Sequence, residues 1–280
     1  MKDVLIPNHE QLWKKIEQIK KDGVSHLHVV SDFDRTLTPA FIDGKKPTSS
    51  FANIREEGGY LPDEYYGKAK VLFNKYYAIE ISDDISLPVK KKKMSEWWEK
   101  HLNLFVKYGL TKKDIGSIVH KRNISLRHGA DELLRILSDF KVPVLIFSAG
   151  LGDIIKEILL IKKSMHSNIH IISNLFKFNS EGKVTGYHGS VVHVFNKDEG
   201  QVKNSPYYGQ MKNRKNVILL GDSLGDSNML NGLSHNTTLK IAFLNKDNEK
   251  FKKQYEKEFD VLILNDGPMD FVNGLLRQII

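Results

Sequence analysis

Two pairs of closely spaced aspartates, each directly after an apolar run, are the residues most able to do chemistry. Asp32 and Asp34 stand in D-F-D-R-T, and Asp222 and Asp226 stand in G-D-S-L-G-D. In the first pair, one carboxylate can attack a substrate while its neighbour moves a proton to and from a leaving oxygen. Four such acids would repel one another, and a divalent cation that prefers oxygen ligands would remove that repulsion. The sequence therefore predicts Mg²⁺ as the cofactor.

The D-x-D-x-T spacing has other interpretations. As a calcium loop it would place Asp43 at the twelfth position, but Leu37 occupies the sixth position, which needs glycine. The preceding segment is also typical of a strand, so we do not expect a calcium loop. The two aspartates could instead cap the following turn, or bind a metal without doing chemistry. These two interpretations stay open from the motif alone.

Two further polar groups follow other apolar runs. Ser148 and Ala149 lie in F-S-A-G before a predicted helix, where a hydroxyl and free backbone N–H groups can hold an anion. The same residues could serve only as an ordinary helix cap. Lys197 follows V-F-N, and its ammonium would suit acids or phosphate if it were buried. A lysine in such a lysine-rich chain is equally typical of exposed surface.

The elements that must position these residues follow from hydrophobic periodicity. The spacing predicts a helix over 9–22 and a strand over 27–31, then helical patterns without a strand-like run between residues 41 and 123. After residue 128, helices and strands alternate. The further predicted helices are 62–77, 94–106, 112–120, 130–140, 154–162, 207–212, 228–233, 246–259 and 269–279; the further predicted strands are 142–147, 169–173, 216–220, 239–244 and 261–264, with a hairpin over 178–194.

This alternation is typical of an α/β protein with a doubly wound parallel sheet and an inserted, mainly helical cap. We expect residues 1–40 and 126–280 to form the core and residues 41–125 to form the cap. In such a sheet, ligands bind beyond the carboxyl ends of the strands. The aspartates, Ser148 and Lys197 all follow predicted strands, so we expect them to meet there.

Composition excludes several classes of protein. The 280 residues include no cysteine, which excludes disulfide scaffolds, thiolate metal sites and cysteine nucleophiles. No apolar run approaches the roughly 20 residues that span a bilayer, and the first residues do not resemble a signal peptide. We therefore expect a cytoplasmic protein without a membrane partner.

The net charge of +8 and the run Lys90–Lys93 allow a basic nucleic-acid-binding module as a remote alternative. The chain has no recognisable nucleic-acid motif, and its lysines are widely spread. We therefore expect no nucleic-acid partner.

The order of the motifs narrows the possibilities. Along the chain, D-x-D-x-T is followed by Ser148, Lys197 and G-D-x-x-x-D, each at a predicted strand end. This arrangement resembles the haloacid dehalogenase superfamily of phosphotransferases. The long insert after the first motif is similar to the cap that this superfamily carries at that position.

Four segments are similar to the cytosolic pyrimidine 5′-nucleotidases (cytosolic 5′-nucleotidase III). They are K-Y-Y-A-I-E at 75–80, F-S-A-G-L-G-D at 147–153, H-V-F-N-K at 193–197 and L-L-G-D-S at 219–223. The resemblance implies Mg²⁺-dependent hydrolysis of nucleoside 5′-monophosphates through an aspartyl-phosphate, with pyrimidine or 7-methylguanosine monophosphates preferred. A phosphatase for a non-nucleotide monoester such as phosphoserine is the alternative. We expect a monomer that acts on a small molecule.

The resemblance also implies roles for the core residues. Asp32 would be the nucleophile, and Asp34 would be the general acid and base and would offer its backbone carbonyl to the metal. Asp222 would be a metal ligand and Asp226 a further ligand or an outer support. Lys197 would neutralise the phosphate and Asp32. Phosphoryl oxygens would be held by the Ser148 hydroxyl and the Ala149 N–H.

In the insert, the resemblance implies that Glu80 reaches toward the nucleoside. His101 stands where many members of the family have serine on the substrate side, so we expect His101 to bind the substrate, with base selectivity left open. Arg35 stands where the family usually has an apolar residue, so it either adds charge near the phosphate or points away. The aromatic residues of the insert are either base-stacking groups or cap core; they are Tyr76, Tyr77, Trp97 and Trp98.

Overall fold

The apolar runs of the sequence form the strands of a central sheet in a computed structural model. The structure describes residues 3–45, 49–50, 52–56, 59–82, 84–122, 124–197, 202–203, 205–245 and 249–280. In chain order the elements are β1 (Val4–Leu5), α1 (His9–Asp22), β2 (Leu27–Ser31), α2 (Ala52–Glu56), α3 (Asp63–Ile81), α4 (Leu87–Lys107), α5 (Lys112–Arg122), α6 (Ala130–Asp139), β3 (Val144–Leu151), α7 (Gly152–Ile161), β4 (Ile169–Asn174), β5 (Phe176–Phe178), β6 (Val184–Tyr187), α8 (Pro206–Met211), β7 (Asn216–Gly221), β8 (Thr237–Leu244), α9 (Glu249–Glu258), β9 (Val261–Leu264) and α10 (Asp270–Ile279).

Seven strands lie in the order β1-β9-β8-β7-β2-β3-β4. Strand β1 is antiparallel to β9, and the other neighbours are parallel. From β2 the chain builds outward to β3 and β4 on one side, and later to β7, β8 and β9 on the other. The strand order therefore reverses at β2, where open α/β sheets form a ligand crevice at the carboxyl ends of their strands. The predicted doubly wound α/β fold is confirmed.

The central strands are buried on both faces, which explains their continuous apolar sequences. Every residue of β2 and β7 is buried. Neighbouring residues face opposite layers, since Val29 and Ile218 belong to one apolar cluster and Val30 and Leu219 to another. The polar residues Asp32 and Asp34 follow directly after β2, at its carboxyl end.

Helices α2 to α5 lie between β2 and α6, where the sequence lacks strand-like runs. Their apolar faces pack together around buried aromatic side chains, among them Tyr65, Tyr76 and Phe105. This insert contacts the β5–β6 hairpin through two backbone hydrogen bonds of 2.8 Å, from Lys112 N to the Gly182 carbonyl and from Val184 N to the Leu110 carbonyl.

Several predicted elements differ from the structure. The strand predicted to end at residue 147 continues as β3 to Leu151, and the helix predicted from residue 94 begins as α4 at Leu87. The hairpin is limited to β5 and β6, and residues 188–197 form a loop instead of the strand predicted to residue 194. The Asn174 side chain accounts for the difference, because it hydrogen bonds to both the N–H and the carbonyl of Val192 and so replaces a strand partner. The helix predicted over 228–233 is a 3₁₀ helix over Leu224–Leu230, which begins earlier because Ser223 and Asp226 form a capping box.

The predicted helix over 246–259 corresponds to α9, and its first three residues lie outside the described residues. No helix in the described ranges combines the length and the apolar character that crossing a membrane requires.

A buried histidine lies near the start of β2, at the opposite end of the strand from Asp32. His28 is fully buried, with Nδ1 2.9 Å from the Tyr207 hydroxyl and its ring centroid 5.4 Å from that of His235. Burial, and to a smaller degree His235 and Arg214, lowers the pKa of His28 from 6.5 to about 3. The folded protein therefore keeps this imidazole neutral in mild acid.

We expect His28 to make folding sensitive to acid. Below pH 6.5 the unfolded chain binds a proton at this residue and the folded chain does not, so stability falls as the pH decreases from 6.5 toward 3. His28→Gln should remove about 2 kcal/mol of the difference in unfolding free energy between pH 7.5 and pH 4.5, measured by urea denaturation. His26→Gln, at an exposed position, is the control. Equal pH dependence in the two variants would contradict the assignment.

Candidate active site

A cavity of about 720 Å³ lies between the carboxyl ends of the central strands and the helical insert. Acidic residues and one lysine from the sheet side line its floor, and aromatic residues of α3 and α4 line its opposite wall. The reversal of strand order at β2 explains the position of the floor, because the loops after β2 and β7 diverge from neighbouring strands.

An ion pair between Lys197 and two aspartates lies at the floor of the cavity. The Lys197 ammonium donates to Oδ1 of Asp32 and, at 3.1 Å, to Oδ1 of Asp226. All three side chains are buried. Burial raises the pKa of Asp32 to about 7, and Lys197 opposes this shift. Burial alone would lower the pKa of Lys197, but the two carboxylates raise it, so this lysine stays charged. Lys197 is therefore not one of the exposed surface lysines.

Three carboxylates lie close together here, and two of them belong to the ion pair with Lys197. One oxygen from each of Asp32, Asp222 and Asp226 lies within 4.8 Å of the others. Burial and the charges of Asp226 and Asp32 raise the pKa of Asp222 well above its usual range. A cluster of hard oxygen donors with this much mutual repulsion fits Mg²⁺, which would favour the ionised form of all three.

Asp226 differs from Asp222 in its hydrogen bonds. Its Oδ2 accepts from the Asp222 N–H at 3.1 Å, the Ser223 N–H at 3.0 Å and the Ser223 hydroxyl at 2.8 Å. The loop can close this tightly because residue 221 is glycine: a Cβ there would lie 2.5 Å from the Asp226 Cβ. Asp226 thus orients the loop that presents Asp222.

Asp34 faces the cavity outside the group of three carboxylates. Its Oδ1 accepts from the Ser50 N–H at 2.8 Å, and its Oδ2 accepts from the Ser50 hydroxyl at 2.7 Å. Burial raises the pKa of Asp34, whereas the hydrogen bonds from Ser50 lower it. This carboxyl group can therefore exchange a proton with a ligand while Asp32 pairs with Lys197.

The last residues of β3, Ser148–Gly150, lie at the same end of the sheet, where the pairing with β4 is irregular. Ser148 is buried, and its hydroxyl accepts from the Gly150 N–H at 3.0 Å. The Ala149 carbonyl accepts from the Trp98 indole N–H at 2.9 Å and from the Asn174 amide at 3.0 Å. These bonds fix the backbone of a segment that lines the cavity. Asn174 has no signal in the local sequence that distinguishes it from other strand-end asparagines.

Arg127 is a second residue that sequence reasoning misses. It is 2% exposed and lies under the loop that follows Asp32. Its guanidinium donates to the backbone carbonyls of Thr36 at 2.7 Å and Thr38 at 3.2 Å, and to the Asp266 carboxylate at 2.8 Å. It also donates to the Arg35 carbonyl. A single arginine just before a helical segment gives no sequence signal for such a role.

Arg35 adopts a conformation that is uncommon for a residue with a side chain, with φ at 66°. Its carbonyl accepts from Arg127 and from the Asn245 amide at 3.0 Å, which holds this backbone in place. The side chain lines the cavity, and its charge lowers the pKa values of Glu80 and Asp34. The structure therefore favours the first interpretation of Arg35, as added positive charge at the site.

Residues of the insert divide between the cavity wall and the insert core. Glu80, Tyr77, Trp97 and Trp98 line the cavity. Burial raises the pKa of Glu80, and Arg35 and Lys90 oppose this shift. By contrast, Tyr76 is fully buried with its ring stacked on Trp97, at a centroid distance of 6.0 Å.

The expectation that His101 contacts the substrate is wrong in this structure. His101 is fully buried, its Nε2 lies 3.0 Å from the Tyr65 hydroxyl, and its ring packs 5.0 Å from that of Phe105. Burial lowers its pKa to about 3. The physical reason is helical geometry: His101 lies one turn beyond Trp97 on α4, a shift of about 6 Å along the axis that moves it into the insert core.

Comparisons with known proteins show which family the chain resembles. The pyrimidine 5′-nucleotidase (UMPH-1) family model matches residues 35–280. The chain is 36% identical over 278 residues to the 7-methylguanosine phosphate-specific 5′-nucleotidase of Homo sapiens, covering 99% of this chain and 92% of that protein. It is 35% identical over 269 residues to form A of that enzyme from Xenopus laevis, covering 96% of this chain and 92% of that protein.

Two solved structures are similar to this chain. The crystal structure of a cytosolic 5′-nucleotidase IIIB bound to cytidine superposes with a TM-score of 0.92 at 30% identity, covering 100% of this chain and 94% of that chain. A phosphoserine phosphatase in apo form superposes with a TM-score of 0.51 at 17% identity, covering 85% of this chain and 92% of that chain. The second likeness concerns the fold alone.

We expect the buried guanidinium of Arg127 to contribute strongly to stability. Arg127→Lys keeps the charge but loses the planar set of five donors, leaving backbone carbonyls and Asp266 without their partner. The unfolding free energy from urea titration should fall by about 3 kcal/mol. Arg135→Lys, in which the original side chain is 60% exposed, is the control and should change it by less than about 0.5 kcal/mol. Equal effects of the two substitutions would show that the Arg127 contacts contribute little.

Proposed function

The chain belongs to the pyrimidine 5′-nucleotidase family and is a 5′-nucleotidase. We propose that it hydrolyses pyrimidine and 7-methylguanosine 5′-monophosphates with Mg²⁺ through an aspartyl-phosphate. The observation that carries the proposal is the placement of two aspartates in different environments at one cavity floor. Asp32 is paired with Lys197, whereas Asp34 is hydrogen bonded to Ser50 and free of that ion pair.

In the first step, a carboxylate oxygen of Asp32 attacks the phosphorus atom of the substrate. The bond between phosphorus and the 5′ oxygen breaks, and Asp34 donates its proton to that oxygen as the nucleoside leaves. Lys197 balances the negative charge that the phosphate dianion brings beside Asp32. The Ser148 hydroxyl and the Ala149 N–H hold phosphoryl oxygens.

In the second step, water attacks the phosphorus atom of the aspartyl-phosphate. Asp34, now ionised, accepts a proton from this water, and the bond between phosphorus and the Asp32 oxygen breaks. Phosphate is released and both aspartates return to their starting states. The same carboxyl group thus serves as acid and then as base.

The metal would be held by carboxylate oxygens of Asp32 and Asp222 and by the backbone carbonyl of Asp34, with Asp226 as a further ligand or as the support of this loop. When bound, Mg²⁺ supplies positive charge that stabilises the phosphoryl oxygens in the transition state. The mutual repulsion of the three carboxylates, whose oxygens lie within 4.8 Å, supports this assignment.

The aromatic wall supports the choice of substrate. Tyr77 stacks on Phe73 at a centroid distance of 5.0 Å, and Trp97 and Trp98 line the same cavity, so a flat base can contact ring faces. A 7-methylguanine ring is cationic, and both aromatic faces and the Glu80 carboxylate attract a cation. The curated relatives named for 7-methylguanosine phosphate and the structure bound to cytidine support both substrate classes.

The organisation expected from the sequence is part of the proposal. Residues 41–125 would act as a cap that shields the reaction from bulk water, and residues 1–40 and 126–280 would form the catalytic core. The enzyme would act as a cytoplasmic monomer on a small molecule, without nucleic acid; relatives named as cytosolic 5′-nucleotidases support the location.

A panel of monophosphates tests the activity. Purified protein should release phosphate from UMP, CMP or 7-methyl-GMP with Mg²⁺, more slowly from phosphoserine, and negligibly after chelation with EDTA. Asp32→Asn should lower kcat by about 1,000-fold or more because the amide cannot form the aspartyl-phosphate.

Asp139→Asn, at an exposed helix end, is the matched control and should keep full activity. Preference for phosphoserine over every nucleotide would reject the substrate class. Full activity of Asp32→Asn would reject the nucleophile. Activity unaffected by chelation would contradict the proposed dependence on Mg²⁺. Salt-sensitive RNA binding without phosphate release would favour the alternative that the protein is a nucleic-acid-binding module.

We expect Glu80 to favour the cationic base of 7-methyl-GMP over the neutral base of CMP. Glu80→Gln keeps the size of the side chain but removes its negative charge, so kcat/KM for 7-methyl-GMP should fall by about 10-fold and that for CMP by less than about 3-fold. The ratio of the two kcat/KM values is the measurement. Glu99→Gln, on the exposed face of α4, is the control and should leave the ratio unchanged. An unchanged ratio in Glu80→Gln would remove this residue from base selection.

A further inference from the structure

Ser50 uses both of its hydrogen-bond donors on one carboxylate. Its N–H donates to Oδ1 of Asp34 at 2.8 Å, its hydroxyl donates to Oδ2 at 2.7 Å, and the residue is 2% exposed. One bond on each oxygen fixes the rotation of the carboxylate, while the remaining lone pairs stay available for a ligand. We propose that Ser50 is a positioning residue, which orients Asp34 for proton transfer to the leaving nucleoside oxygen. This inference rests on the proposed function.

Ser50 fits beside Asp34 because the neighbouring residue in another segment, Gly150, has no side chain. A Cβ on Gly150 would lie 1.8 Å from the Ser50 hydroxyl oxygen and 3.2 Å from Oδ2 of Asp34. No side chain at residue 150 is compatible with this arrangement unless Ser50 shifts. The end of β3, which carries Ser148 and Ala149, therefore also leaves the space in which Ser50 meets Asp34.

Ser50 also belongs to a different part of the chain from the turn after β2 that carries Asp34. It lies just before α2, where the chain enters the helical insert, and is separated from Asp34 by 16 residues. Asp34 is thus held from the insert side, whereas Asp32 is held by Lys197 from the core side. The two aspartates keep separate partners, which suits their separate roles.

The orientation of Asp34 matters most where the leaving oxygen needs a proton. A nucleoside alkoxide leaves poorly unless it is protonated as the bond to phosphorus breaks. A thiolate leaves without a proton. A substrate with sulfur in place of the bridging 5′ oxygen keeps the same nucleoside contacts and removes the need for Asp34 in the first step.

The test compares CMP with its bridging 5′-sulfur analogue in Ser50→Ala. Rapid-quench measurement of the first turnover should show nucleoside release from CMP slowed by about 10-fold or more, with release from the sulfur analogue within about 2-fold of the unmodified enzyme. Ser50→Cys, with a weaker donor, should fall between. Equal losses on both substrates, or no loss on CMP, would overturn the proposal.

Two controls separate positioning from structure. Ser164→Ala removes a serine hydroxyl that is also 2% exposed but lies beyond the end of α7, and it should change neither rate. In the Asp34→Asn background, Ser50→Ala should cause no further loss, since its effect passes through that carboxylate. A further loss in that background would overturn the proposal.

The outcome for the unmodified enzyme distinguishes the two levels of inference. If it releases no nucleoside from any monophosphate, the proposed function fails and this inference fails with it. If it is active and Ser50→Ala matches it on CMP, only the role of Ser50 fails.

Discussion

The buried ammonium of Lys197 between Asp32 and Asp226 is the interaction on which the rest of the site depends. Three carboxylates whose oxygens lie within 4.8 Å would be strongly destabilising inside the protein without a cation. Lys197 supplies one, and it comes from a loop without regular structure. That loop is fixed by its own hydrogen bonds, from His193 N to the Asn196 side chain at 2.7 Å and from Asn196 to the Val191 carbonyl at 2.9 Å.

The same principle applies to the other loops of the site. Each has backbone polar groups that no strand or helix can pair, and a buried polar side chain satisfies them. Arg127 donates to the loop after β2, Asn174 donates to the end of β3 at residue 149 and to the loop at residue 192, and Asp226 accepts from the loop after β7. These side chains thus pair backbone groups that the sheet leaves unpaired.

The helical insert contacts the loops that carry the chemistry. On α4, Trp98 donates to the Ala149 carbonyl at 2.9 Å, the Ser95 hydroxyl lies 3.1 Å from His193, and the Lys90 ammonium lies 5.6 Å from the ring centroid of Phe195. The face that would bind the base is therefore joined to the segments that would bind the phosphate. A change in the position of α4 would alter both parts of the cavity together.

The fold follows from the sequence, because strands buried on both faces are mostly apolar and their alternation with helices along the chain is typical of a doubly wound sheet. The sequence also indicated that Asp32, Asp34 and Asp222 follow strands of a parallel sheet, whose carboxyl ends meet. The structure places Ser148 inside β3 and Lys197 on the loop after β6. Three features become visible in three dimensions alone: His101 is buried, Ser50 hydrogen bonds to Asp34, and Arg127 hydrogen bonds to a loop 91 residues away. Contacts between distant segments depend on how helices and loops pack in three dimensions, so local residue patterns do not predict them.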